Sequence, residues 1–449
     1  FIANDPHVAG GTHLPDINMA MPIFYKDTLI AFMCNIAHHA DIGGSVPGSM
    51  AGGLTEIYQE GLRIPVVRLF ERGQLQTDIL DLILLNVRVP NERKGDYFAQ
   101  VAACQLGTKR ITEIVRKYGT NEILTCFNEI IHRTKKQMQS LIKELPDGSY
   151  NFQDVMDDDG MGTVEIPVKV KITVNGKKIH FDFTGTANQV LGNINVTRNA
   201  TQASVCYALK ALLDPAVPNN QGVLDLPKIT VKKGSLLDAH FPAPVAARAN
   251  TCQRIIDVIL GALSKTKPEA AVAAANGANT TAVFAGTDPR NGREYVYLET
   301  LGGGFGGRST KDGKDGVQVH ITNTSNLPVE AIEMEYPLIV HSYRLIEDSG
   351  GAGMYRGGLG LERIIEPVDH SCTFNGAGER FTQKPWGLFR GGYGQSGEFL
   401  KSNSVGKLKR LPSKPIGINV KEKEAIIIRT PGAGGYGSTK KRSQSAINA

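Results

Sequence analysis

Residues 27–41 read DTLIAFMCNIAHHAD, an apolar run that ends in two adjacent histidines and an aspartate. The β-branched and aromatic residues of this run predict a strand over 27–37. Because the run leads directly into His38 and His39, we expect both histidines at the end of that strand. Adjacent residues of a strand point to opposite faces, so only one of the two is expected to bind a given ion.

A second group of metal-capable side chains lies upstream, in NDPHVAGGTHLPD at residues 4–16. His7, His13 and Asp16 belong to it, and Asp41 closes the downstream group. Pro15 favours an extended or turn geometry in which His13 and Asp16 converge. Together with His38 they predict a site of two nitrogens and one oxygen for one divalent ion, Mn, Zn or Fe, with positions left open for substrate. The alternative is a set of hydrogen-bonded loop residues.

Length and composition set the outer bounds of the interpretation. The chain has 449 residues, 41% hydrophobic and 21% charged, which predicts two or three packed domains. Its formal charge of +6 is spread without a basic block, so we expect no nucleic-acid partner. No apolar run approaches the roughly 20 residues that span a bilayer, and no two of the six cysteines form a C-x-x-C pair. We therefore expect a cytoplasmic protein with reduced thiols and no membrane partner.

The hydrophobic patterns predict a mixed α/β (α+β), multi-domain fold. Apolar residues recur every three or four positions over 92–118 and 121–145, which predicts a pair of helices after the metal-site region. From Val164 the period changes to two, with Asn175-Gly176 between alternating runs as in a hairpin. A glycine-rich, β-rich region follows Gly302. The expected divisions are 1–150 for the metal-site region and helical pair, 151–330 for a mixed α/β region and 331–449 for the β-rich region.

Two further motifs are ambiguous. GGGFGGRS at residues 302–309 fits phosphate-loop spacings, but Arg308 replaces the lysine and TKDGKDG after it is a turn rather than a helix. A structural loop is therefore the favoured interpretation, and we predict no nucleotide or other cofactor site there. TEIYQEGLR carries Glu56 and Glu60, which either face water or, for Glu60, supply a base near the metal.

Taken in order, seven stretches resemble the hydantoinase B family along the whole chain: NDPHVAGGTHLPDI, AHHADIGGSVPGSM, TEIYQEGLRIP, NTCQRIIDVILGAL, NTSNLPVEAIEMEYPL, DSGGAGMYRGGLG and TPGAGGYG. This family is the B-type half of ATP-dependent oxoprolinases and N-methylhydantoinases. The resemblance implies a hetero-oligomer with a hydantoinase A-type ATPase subunit, which uses ATP to phosphorylate a small cyclic amide that this chain then hydrolyses.

The same resemblance places the family's metal ligands on His13, Asp16 and His38, and puts His39 and Asp41 near the reacting centre. Family members offer a further aspartate upstream, so we expect residues before Phe1 to complete the site. Two alternatives stay open. One is a subunit of an acetone- or acetophenone-type carboxylase, and the other is a non-catalytic assembly subunit with a structural metal.

Overall fold

A computed structural model describes residues 1–448 and has the predicted mixed α/β architecture. Its N-terminal part is a three-stranded sheet of order β1-β2-β3, followed by helices. The elements of this part are β1 (Ile2–Ala3), β2 (Asp16–Tyr25), β3 (Thr28–His38), β4 (Phe70–Glu71), β5 (Gln74–Leu75), α1 (Thr77–Leu85), α2 (Pro90–Tyr118) and α3 (Thr120–Lys143).

The antiparallel pair β2–β3 is the element that the opening stretch predicts. Asp16 and His38 are cross-strand partners in its register. Helix α2 covers one face of the pair, where Gly107 lies against Met33. The other face presents the exposed side chains of Phe32 and Ile36. The pairing therefore brings Asp16 and His38 together at one end of a sheet that has one covered and one uncovered face.

The helical pair is confirmed as α2 and α3, which meet at Gly119. Gly119 has φ of 84°, a left-handed conformation that glycine adopts without a Cβ clash. Buried residues on each helix, such as Cys104 on α2 and Met138 on α3, recur on the inward face. The pair packs one helix toward the β2–β3 sheet and the other toward the middle of the chain.

The middle of the chain forms a four-stranded sheet of order β6-β7-β8-β9 with helices packed on it. The predicted hairpin is present, with Gly176 and Lys177 as its two loop residues because Asn175 pairs with Lys178. Helix α6 is buried at nearly every position and forms the centre of this part. The elements are β6 (Gly148–Asp158), β7 (Val164–Asn175), β8 (Lys178–Asp182), α4 (Arg198–Leu213), α5 (Gln221–Leu224), β9 (Lys228–Thr230) and α6 (Arg248–Leu263).

The remaining residues build two antiparallel sheets with a shared aromatic core. Their orders are β11-β10-β14-β17 and β12-β13-β18-β15-β16. The elements are β10 (Thr280–Thr287), β11 (Glu294–Leu301), α7 (Val329–Glu335), β12 (Leu338–Leu345), β13 (Leu361–Pro367), β14 (Cys372–Ala377), β15 (Glu398–Ser402), β16 (Leu408–Arg410), β17 (Ile418–Val420), β18 (Ala425–Arg429) and α8 (Gln444–Asn448).

One strand pairing and one strand cross the divisions expected from the sequence. Strand β10 lies before residue 330 and hydrogen-bonds to β14, which lies after it. Strand β6 starts at Gly148 and therefore spans the expected division at 150. Strands that are far apart in sequence can hydrogen-bond to each other, so composition alone does not locate these divisions.

The glycine-rich loops pack backbone against backbone. A Cβ on Gly306 would collide with the carbonyl group of Ala273, and one on Gly357 with that of Ala433. Arg308 donates through Nη2 to the carbonyl oxygen of Asp312, and no helix follows GGGFGGRS. The structure thus shows a turn-rich structural loop at 302–309, as favoured from the sequence.

We predict that Gly306→Ala destabilises the protein by roughly 1–3 kcal/mol, because the added methyl must displace packed backbone. Gly95→Ala is the matched control: its site on α2 is exposed and open, so alanine is expected to stabilise the helix by up to about 1 kcal/mol. Urea unfolding of both variants measures the difference. Equal midpoints for the two would contradict the packing described here.

Candidate metal centre

Three side chains converge where β2 begins and β3 ends. One ligand atom from each of His13, Asp16 and His38 lies within 4.8 Å of the others. Asp16 and His38 are held together by the strand register. His13 lies in the preceding turn, and its carbonyl oxygen accepts a hydrogen bond from the Asp16 N–H at 3.2 Å. The structure therefore brings together the three residues predicted to be metal ligands.

The hydrogen bonds of His13 decide which nitrogen is free. Its Nδ1 lies 3.1 Å from the carbonyl oxygen of Ala246, which can only accept, so Nδ1 carries a proton. Burial, and then the charge of Arg248, lower the pKa of His13 below its ordinary value although Asp16 opposes the shift. The ring is accordingly neutral near pH 7, and its Nε2 presents a lone pair.

That lone pair faces another one. Nε2 of His13 is buried without a hydrogen-bond partner among the described residues, and it lies 3.1 Å from Oδ1 of Asp16. A neutral imidazole nitrogen and a carboxylate oxygen repel each other at this distance unless a cation binds both. Two imidazoles and a carboxylate suit Zn, Mn or Fe, and the Nδ1 bond to a backbone carbonyl is the usual support of a ligating histidine. The residues therefore fit a divalent metal.

Asp16 joins this group to the middle of the chain. Its Oδ2 accepts from Arg248 Nη2 at 2.7 Å and from the Thr12 hydroxyl at 2.5 Å. Burial by itself would raise the pKa of the Asp16 carboxyl, but the neighbouring Arg248 guanidinium holds it well below the ordinary value. Asp16 is thus a carboxylate at any physiological pH, with one oxygen committed to Arg248 and the other facing His13.

His38 and His39 point apart, as strand geometry predicts. His38 lines the cavity, and solvent reaches its ring there. Desolvation by the surrounding protein, and then the neighbouring His13, lower the pKa of His38. His39 is buried, stacks on Tyr97 with ring centroids 4.6 Å apart, and contacts Gln100 through Nε2 at 3.1 Å. The structure does not place His39 on the cavity wall.

Asp41, predicted to lie near the reacting centre, holds a loop instead. Its carboxylate accepts from the N–H groups of Gly43, Gly48 and Arg88, and from the Arg88 guanidinium at 3.1 Å. These donors satisfy both oxygens at a buried position that does not line the cavity. His7, from the upstream group, donates to the carbonyl oxygen of Ala243 and likewise lies outside the three-residue group.

Glu60 is fully buried, so the solvated-face interpretation is wrong for this residue. Its Oε1 accepts from the N–H groups of Val245 and Ala246 at 2.8 and 2.7 Å. Burial raises the pKa of Glu60 to about 8. Because the carbonyl of Ala246 holds His13, Glu60 supports a candidate metal ligand indirectly and does not itself line the cavity.

The metal group forms the floor of a cavity of about 450 Å³. Arg248 and Ala249 of α6 also line this cavity, and residues of β11 with the loop that begins at Ile321 form more of its wall. Sequence analysis missed Arg248 and this wall because they come from far along the chain. A volume of this size admits a small ring compound beside the metal ligands.

Comparison with known proteins places this arrangement in a family. The hydantoinase B/oxoprolinase model matches residues 1–439. The chain belongs to the hydantoinase B/oxoprolinase family. It is 38% identical over 98% of its length to an uncharacterized protein of Methanocaldococcus jannaschii, and spans 76% of that protein. It is 31% identical over 98% of its length to the caprolactamase subunit beta of Pseudomonas jessenii, and spans 77% of that subunit.

Solved structures of two enzymes share the fold of this hydantoinase B family member. The ATP-dependent caprolactamase of Pseudomonas jessenii superposes with a TM-score of 0.91 at 27% identity, over 100% of this chain and 78% of the other. The nucleotide-free acetone carboxylase gives the same TM-score of 0.91 at 18% identity, over 100% and 66%. The second likeness concerns the fold alone.

Among residues 1–448, no helix is long and apolar enough to cross a membrane.

We predict that His38→Ala lowers the bound metal to well below one equivalent, whereas the neighbouring His39→Ala retains it, because only His38 faces Asp16 and His13. Elemental analysis of both purified variants, dialysed against the same buffer, measures this. The His39 variant also controls for loss of a histidine at the strand end. Metal that leaves with His39 and stays after the His38 substitution would reverse the assignment.

Glu60 gives a prediction about pH. The pKa of Glu60 in the folded protein, about 8, exceeds the ordinary glutamate value of 4.5, so the folded state binds the proton more tightly than the unfolded state does. The free energy of unfolding should therefore fall as pH rises from about 5 to 8, and Glu60→Gln should flatten that slope. Urea unfolding of the chelator-treated protein at several pH values tests it.

Glu60→Ala, which leaves two N–H groups without an acceptor, should also weaken metal binding about 10- to 100-fold.

Proposed function

We propose that this chain is the metal-dependent B-type subunit of an ATP-dependent cyclic-amide hydrolase and opens a small hydantoin, oxoproline or other lactam. The observation that carries the proposal is the pair of facing lone pairs on His13 and Asp16 beside His38, at the floor of a cavity. Membership of the hydantoinase B/oxoprolinase family, and the likeness to an ATP-dependent caprolactamase, support the substrate class.

ATP is handled elsewhere in this proposal. The phosphate-loop-like segment at 302–309 is packed backbone without a following helix, so it offers no anion-binding helix terminus. An A-type ATPase subunit accordingly binds ATP and transfers its terminal phosphoryl group to the amide oxygen. The relative from Pseudomonas jessenii is named as a beta subunit, which supports a partner subunit of this kind.

The reaction divides into balanced steps. Transfer of the phosphoryl group to the amide oxygen makes the ring carbon a good electrophile and converts the ring C–N bond to C=N. Water adds across C=N, with oxygen on carbon and hydrogen on nitrogen, and the C–N bond then breaks as nitrogen takes the hydroxyl proton. A second water releases phosphate from the resulting acyl phosphate. A divalent metal at the three ligands would lower the pKa of water toward about 7 and supply hydroxide.

The chain's own residues prepare this chemistry. Burial and the charge of Arg248 keep His13 neutral and able to ligate, and the same Arg248 pairs with Asp16 and holds it as a carboxylate. Arg248 also lines the cavity, where its positive charge favours a phosphorylated substrate over the neutral ring. For His39 and Glu60, predicted as catalytic residues, we propose positioning roles: His39 fixes the strand end through Gln100, and Glu60 fixes the Ala246 carbonyl.

Two other functions make different demands on the same site. A structural metal belongs in a closed, usually four-coordinate site, whereas these three ligands open onto a cavity. A carboxylase of the acetone type would use a ketone and bicarbonate in place of a lactam. The likeness to acetone carboxylase at 18% identity concerns the fold and favours neither substrate.

The expected result is that this chain and its A-type partner together convert a lactam and ATP into the ring-opened acid, ADP and phosphate, one ring per ATP. Chromatography of the products from oxoproline, hydantoins and larger lactams, with parallel ADP assays, measures it. This chain alone should hydrolyse no ATP. His38→Ala in the complex should abolish ring opening.

Bicarbonate-dependent carbon incorporation into a ketone, with every lactam inert, would contradict the hydrolase proposal. ATP turnover by the isolated chain that survives Arg308→Ala would contradict the division of labour between subunits. The exposed Arg133→Ala on α3 serves as the matched control for loss of an arginine.

A further inference from the structure

One side chain of the cavity wall carries hydrogen-bonding capacity that the protein does not use. Asn279 lines the cavity and is 8% exposed. Its buried Oδ1 accepts no hydrogen bond, and no group among residues 1–448 accepts one from its Nδ2. An unpaired buried amide costs about 1–3 kcal/mol, so its retention at this position indicates a partner other than the protein.

The backbone of Asn279 is firmly held. Its N–H donates to Asn250 Oδ1 at 2.7 Å, and its carbonyl oxygen accepts from the Thr281 hydroxyl at 3.0 Å. Asn250 belongs to the first turn of α6, two residues after Arg248, which holds Asp16. The same helical turn therefore positions both the metal-ligand carboxylate and the backbone of Asn279.

A purely structural role does not account for the side chain. The hydrogen bonds that fix Asn279 all use its backbone, and any residue other than proline could make them at this position. Thr300, on the adjacent strand β11, also lines the cavity and has a buried hydroxyl without a partner. Two unused polar side chains thus line the same cavity as the three candidate metal ligands.

We propose that Asn279 is a substrate-recognition residue that binds the ring nitrogen of a cyclic amide while its C–N bond is opened. The inference rests on the proposed function and adds the atom that is recognised. In the phosphorylated ring the nitrogen of C=N has a lone pair and no hydrogen, so it accepts from Nδ2–H of Asn279. After water has added, the nitrogen carries a hydrogen and donates to Oδ1.

A carboxamide can bind the ring nitrogen both before and after water adds, because it presents a donor and an acceptor side by side. An aspartate at neutral pH can only accept, and therefore cannot bind the nitrogen of the phosphorylated form. The substrate class narrows accordingly to cyclic amides whose ring nitrogen carries hydrogen. An N-alkyl ring becomes an iminium on phosphorylation and has no lone pair to accept, and an enol phosphate from a ketone has no nitrogen.

The test uses the complete complex with its A-type partner and compares Asn279→Asp with wild type. ADP and ring-opened acid are measured separately with an N–H lactam. We expect the variant to keep its metal and its ADP production, while kcat/KM for ring opening falls on the order of 10²-fold because a positioned donor is lost. The ratio of ADP to acid should rise from about one to on the order of 10², as the activated ring loses phosphate without opening.

Asn121→Asp is the matched control, because it makes the same change at an exposed position of α3. A second measurement needs no variant: wild type should open the N–H lactam in preference to its N-methyl analogue by at least about 10²-fold, scored per ADP formed.

The role of Asn279 would be overturned by an unchanged ratio of ADP to ring-opened acid in Asn279→Asp, or by equal opening of N–H and N-methyl rings per ADP. Either result would leave the proposed hydrolase function standing. Wild type that opens no cyclic amide would overturn the proposed function and this inference together. Should Asn279→Asp fail to fold, the preference of wild type between the two rings decides the question.

Discussion

The ion pair between Asp16 and Arg248 is the interaction on which the site depends. It joins the N-terminal hairpin to the first turn of the most deeply buried helix, at 2.7 Å and with little exposure of either side chain. An isolated buried pair of this kind costs nearly as much in desolvation as it returns in attraction. Its value lies in geometry, because it fixes one carboxylate oxygen and leaves the other facing His13.

Helix α6 also connects the site to the rest of the molecule through further ion pairs. Beyond Arg248 it presents Arg254 and Asp257, which pair with Asp154 of β6 and Arg380 of the region after β14. Every one of these charges is buried or nearly so, and each has an opposite charge beside it. Removing one member of such a network strands its partner in a low-dielectric interior, so the site and the two sheets beyond it share one rigid support.

The sequence predicted what local patterns specify. An apolar run located β3, and three- and four-residue spacing located α2 and α3. Residue type with spacing selected three candidate ligands that the structure brings together. Contacts between distant segments could not be predicted in this way. Arg248 and Asn279 reach the cavity only through the packing of α6 and of the segment that leads into β10. Glu60 is buried because its N–H donors lie at 245–246, a relation that no local charge pattern contains.

The order of strands in the larger C-terminal sheet bears on how the protein is made. Strand β18 (Ala425–Arg429) lies between β13 and β15, although it follows every other strand of that sheet in the chain. A nascent chain that has emerged from the ribosome only to residue 420 thus holds two flanking strands with unpaired inner edges. Such edges attract foreign strands. Co-translational folding of this sheet must therefore wait for its central strand, and a chaperone that shields those edges would act in that interval.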